Sequence, residues 1–66
     1  MKGAIKFKDG HSEDILKHVG FETAGVFVTG YGTYIRTDDT KFYRYIRDFD
    51  MYVPCVDIAS IEMEEE

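Results

Sequence analysis

The residues of this 66-residue chain with the most chemistry to offer lie in TYIRTDDTKFYRYIR, residues 33–47. Three of the five tyrosines, Tyr34, Tyr43 and Tyr45, fall here beside Arg36, Lys41, Arg44 and Arg47, against Asp38 and Asp39 alone. The segment carries a charge of +2 in a chain of formal net charge −5, which leaves −7 on the remainder. Aromatic rings interleaved with cations hold single-stranded nucleic acid, by stacking and by attraction to phosphate. Tyrosine and arginine are also the side chains enriched at protein-binding hot spots.

Other reactive residues are sparse. His11 and His18 are seven positions apart, and Cys55, the one cysteine, is far along the chain. A Cys–His nucleophile would need the fold to bring them together. Neither histidine shows metal-ligand spacing with Asp9 or Asp14. The Gly30 and Gly32 pair lacks the helix start that a phosphate-cradling loop needs. No catalytic residue, metal or cofactor is therefore expected; Cys55 reads as a small buried thiol and the histidines as surface residues.

The segment 33–47 must be positioned by a hairpin. Asp38-Asp39 separates two strand-like runs, and as a two-residue loop it pairs Ile35 with Phe42 and Tyr34 with Tyr43. Because side chains alternate between faces, Tyr31, Ile35, Phe42 and Ile46 then share an apolar side, with Arg44 as a misfit among them. Tyr34, Arg36, Lys41, Tyr43, Tyr45 and Arg47 share the opposite, solvent side. Those six residues are the expected binding surface.

The flanking sequence is mostly β. GAIKFKDG alternates Ile5 and Phe7 with Lys6 and Lys8, a half-buried strand ended by the Asp9-Gly10 turn pair. SEDILKHVG has helix end signals, with Ser12 as N-cap, Glu13 and Asp14 in the first turn and Gly20 beyond the last. A short helix at 12–19 is preferred on those signals, against a strand returning from the turn. AGVFVTGYGTYIRT opens a second β region around Val26, Phe27 and Val28. Gly30 and Gly32 mark a turn, bulge or bend. Pro54 interrupts pairing, VDIAS reads as a single turn, and SIEME as a last strand with Ile61 and Met63 inward. That ending resembles the turn-then-strand close of SH3-like and Sm-like small barrels, and the resemblance carries no functional residue over. The expected fold is mostly β: a small antiparallel sheet curling into an SH3-like/Sm-like partial barrel, one domain over 1–62 with an acidic tail at 63–66.

Composition narrows the function classes. A chain this short has one small core, and its 44% hydrophobic and 15% aromatic content is enough to form it. One cysteine allows no internal disulfide, no signal-type or membrane-spanning apolar run is present, and the chain reads as cytoplasmic. The negative charge disfavours non-specific binding to duplex DNA. The leading expectation is a small acidic, non-enzymatic binding protein, in its most concrete form an inhibitor of the phage or mobile-element type that occupies a basic groove on a host protein. The alternatives are a single-stranded nucleic-acid module and a self-assembling subunit that pairs through a sheet edge.

Overall fold

The computed structural model describes residues 2–21, 23–38 and 40–64. Seven strands form one antiparallel sheet: β1 Lys2–Phe7, β2 Ser12–Phe21, β3 Ala24–Thr29, β4 Gly32–Asp38, β5 Lys41–Ile46, β6 Met51–Pro54 and β7 Ile58–Glu64. A 3-10 turn, Arg47–Phe49, joins β5 to β6. The spatial order is β6-β5-β4-β3-β2-β1-β7, so the last strand returns to pair with the first. The sheet curls through 191° into a half-barrel. Register shifts at Lys6/Phe7, between Ile15 and Lys17, and between Arg36 and Asp38 supply part of that curl, because bulges bend the strand and raise its twist.

The core lies on the inner face. Ile5 and Phe27 are fully buried, and Tyr34, Ile58, Phe7 and Ile15 nearly so. Phe42, Cys55, Ile61 and Met63 pack around them. The expected inward Ile61 and Met63 are found, but β7 starts at Ile58 and runs to Glu64. Met63 and Glu64 therefore belong to the sheet rather than to a tail, and Glu65 and Glu66 lie outside the described residues. The segment Cys55–Asp57 straps the open side at one end: Cys55 N–H donates to the Phe42 carbonyl at 2.9 Å and Lys8 N–H to that of Asp57 at 2.8 Å.

Residues 12–19 are strand, not helix. So short a helix is marginal in water, whereas this strand pairs on both sides, with β1 through Ser12–Asp14 and with β3 from Ile15 onward. Its turn is a three-residue loop, Lys8 to Gly10, with Gly10 at φ 96 and Phe7 N–H donating to the His11 carbonyl. Glu13 thereby stands opposite Ile5, on the core side. At its far end Gly20 faces Gly25 so closely that an added Cβ would lie 2.5 Å from the Gly25 Cα.

Candidate functional site

The hairpin of β4 and β5 departs from its expected register by one residue, and that single slip decides the site. Tyr34 stands opposite Arg44, Ile35 opposite Tyr43 and Arg36 opposite Phe42. The cause is local. Asp38 does not occupy the loop centre: its Oδ1 accepts from the Thr40 N–H at 2.9 Å and the Thr40 hydroxyl at 3.1 Å. This moves the loop one residue on and leaves Thr37 as a bulge. Because faces alternate, a shift of one carries every side chain of the partner strand to the other side.

The six expected binding residues are accordingly divided. Tyr34 is 2% exposed and belongs to the core. Arg36 lies on the inner face with its guanidinium 5.1 Å from the Phe27 ring centroid. Arg44, the expected misfit, also stands inward, 5.8 Å from the Tyr34 ring centroid. Lys41, Tyr43 and Tyr45 remain on the outer face, and Arg47 opens the 3-10 turn, exposed. A surface joining Tyr34 and Tyr43 therefore does not exist, and the interleaving of arginines with tyrosines is lost.

A different outer surface appears in its place. Across β2 to β6, Val19, Val26, Ile35, Tyr43 and Pro54 stand side by side in one cross-strand row. Lys17, Val28, Thr33, Tyr45 and Tyr52 form the next. No carboxylate stands in either row. Tyr52 is 56% exposed, Val19 59% and Val26 37%. The Tyr45 and Tyr52 rings lie 5.2 Å apart, and the Tyr45 hydroxyl donates to Asp50 Oδ1 at 2.8 Å. Outward positions on the other wing, in β1, the start of β2 and β7, are Lys6, Asp14, Glu62 and Glu64, with the small residues Ala4, Ser12 and Ser60 among them. The outer face is thus split into an apolar–aromatic half and a charged half.

The inner face holds a polar cluster that the sequence reading missed. Glu13, 7% exposed, receives at Oε1 the hydroxyls of Thr29 and Tyr34, each at 2.9 Å. Three adjacent strands, β2, β3 and β4, are thereby tied to one carboxylate. The Thr29 hydroxyl also accepts from the Tyr31 N–H at 3.0 Å, closing the Gly30-Tyr31 turn. Burial first, and Glu13 second, push the Tyr34 phenol up to about 12. His11 Nε2 lies 3.5 Å from Glu13 Oε2, while its Nδ1 contacts Asp9 and its ring stacks on Phe7 at 4.3 Å. Phe7, Lys8, Asp9, His11, Glu13, Tyr34, Arg44, Cys55 and Asp57 line a cleft of ≈ 550 Å³ there. His11 and Cys55 do therefore share a cleft, whereas His18 lies elsewhere, stacked on Phe27 at 4.5 Å. Among the described residues no group of three or more His, Cys, Asp or Glu side chains is placed to hold a metal ion. The one hint of this cluster in the sequence was the phase of Glu13 with Ile15.

Asp9 first, and Glu13 after it, hold the His11 imidazole above its ordinary value, and His11 holds Asp9 below its own. A raised histidine contributes stability in full below its unfolded value of about 6.5, and loses it as pH rises through the folded value. A depressed aspartate contributes above about 3.9 and loses it as pH falls through the folded value. The contribution of this pair to melting temperature is thus expected to be greatest between these limits and to fall as pH rises through the folded value of His11. In His11→Asn the decline above pH 6.5 should disappear; an unchanged profile would show that the His11 pair does not titrate with folding.

No family model, no curated protein and no solved structure matches the chain. Among the described residues no helix is long and apolar enough to cross a membrane.

Proposed function

We propose that this chain is a small protein-interaction module without chemistry of its own, which docks through the outer face of β2–β6. One observation carries the reading: apart from Lys17 and Thr33, the two cross-strand rows are apolar and aromatic on the side of the sheet that faces away from the core. An antiparallel sheet with one face on its core and the other in water carries polar residues on the second face. Strand β3, with Val26, Phe27 and Val28 in succession, has the composition of a strand covered on both sides. No layer of this chain covers the outer one among the described residues, and contiguous exposed patches of this kind mark interaction sites. Tyrosines there supply large contact area at low entropic cost.

The acidic residues Asp14, Glu62 and Glu64 of a chain of net charge −5 flank the docking rows without entering them, so the rows can close on a partner without burying a carboxylate. The nucleic-acid reading loses two of the residues it relied on, since Tyr34 is buried and Arg36 stands on the inner face over Phe27.

The test is a photo-crosslinking phenylalanine analogue placed at Tyr52 or, as control, at Glu62, in the intact chain exposed to a cell lysate. A discrete protein adduct is expected from position 52, absent from 62 and lost on adding Ile35→Arg. Equal adducts from both positions, or none from 52, would remove the docking face.

A further inference from the structure

Resting on that reading, we infer that the occupant of the outer face is a second copy of this chain, related by a two-fold axis running along β4. The patch spans five strands, β6-β5-β4-β3-β2, and β4 is the middle one. Its two halves differ in side-chain size. The β5–β6 half carries Tyr43, Tyr45 and Tyr52; the β3–β2 half carries Val26, Val28 and Val19. The registers place Tyr43 level with Val26 and Tyr45 level with Val28, with Ile35 and Thr33 between them on β4.

Rotation about an axis along β4 exchanges the two halves and preserves height along the strand. Tyr43 of one copy then falls on Val26 of the other and Tyr45 on Val28, while Ile35 and Thr33 meet their own counterparts. Large against small is the arrangement by which packed layers interdigitate, and an isologous contact demands self-complementarity of this kind.

Curvature selects the same arrangement. A sheet curled through 191° over seven strands presents a convex outer face, so two such faces diverge on either side of the central strand. Short side chains suffice along β4, where the copies approach most closely. Long rings are needed on β5, where the gap widens, and Tyr43 and Tyr45 supply them.

Charge points the same way. Two copies of net charge −5 repel wherever carboxylates confront one another. The docking rows contain none. Their one charged member is Lys17, which makes no ion pair among the described residues. The rotation sets it level with Tyr52 of the second copy, on the flank where the two sheets diverge, an aromatic face that suits an ammonium group. The acids Asp14, Glu62 and Glu64 stay on the outer flanks, apart.

Sedimentation equilibrium of the intact chain from about 10 μM to about 1 mM is the experiment. A reversible monomer–dimer equilibrium is expected in this range. Ile35→Arg, which sets two guanidinium groups against each other on the axis, should raise the dissociation constant at least ~30-fold. Val26→Tyr should also weaken the dimer by setting ring against ring, and Val26→Tyr with Tyr43→Val should restore it, because large again meets small. Circular dichroism identifies any variant that fails to fold, and the rescue pair does not depend on Ile35. A strict monomer at the highest concentration overturns the inference, as does a dimer indifferent to all three variants. A monomer that still gives a Tyr52 adduct with some other protein in lysate would sink the second copy alone and leave the docking face standing.

Discussion

Phe27→Ala is expected to remove most of the folding free energy. The ring is fully buried at the centre of β3, with His18 stacked on it at 4.5 Å and the Arg36 guanidinium 5.1 Å from its centroid. Truncating a buried phenylalanine to alanine costs about 3–5 kcal/mol, and a domain of this length holds roughly 3–10 kcal/mol in total. Few other side chains are available to close the cavity, because six buried residues make up the apolar centre of the described structure. Urea unfolding followed by far-ultraviolet circular dichroism is the check. Phe27→Leu, which keeps most of the volume, should cost about 1.5 kcal/mol or less. A loss below that from Phe27→Ala itself would show that the core does not centre on this ring.

Glu13→Ala should be the next most damaging change, and for an opposite reason. It leaves the Tyr34 hydroxyl without its acceptor in a buried place, while the Thr29 hydroxyl falls back on the Gly32 carbonyl at 3.2 Å. The orphaned phenol costs about 1–3 kcal/mol. Glu13→Gln keeps an acceptor oxygen of the same reach and should cost about 1 kcal/mol, most of it from the lost charge facing His11. A cycle with Tyr34→Phe isolates the shared bond: the two losses should fall short of additivity by roughly 0.5–3 kcal/mol. Strict additivity would mean that the Tyr34 hydroxyl bonds elsewhere.

These two residues also show what could be read in the sequence and what could not. Phe27 sits in a run of strand formers, and β1, β3, β4, β5 and the inward pattern of Ile61 and Met63 were all legible from alternation and turn residues. The half-barrel followed from them. Glu13 was hidden because its neighbours Ser12, Asp14 and Gly20 look like helix ends; only pairing with β1 and β3 together makes 12–21 a strand. The tyrosine face was misread through one residue. Asp38 can sit at the centre of a two-residue loop or brace the loop from its start, and residue types alone do not decide between these. The second choice sent Tyr34 and Arg36 inward and Ile35 outward. The acceptor oxygen of Asp38 and the bulge at Thr37 thus determine which surface the protein shows to others.

The pairing of β7 with β1 has a consequence for how the molecule comes into being. Ile58 and Ile61 complete the same cluster as Ile5 and Phe7, although more than fifty positions separate them along the chain. Such distant closure is slow, since loop entropy must be overcome before the contact returns any gain. A ribosome must therefore have delivered residue 64 before the first strand finds its second neighbour, and every shorter nascent chain carries an unfinished wall.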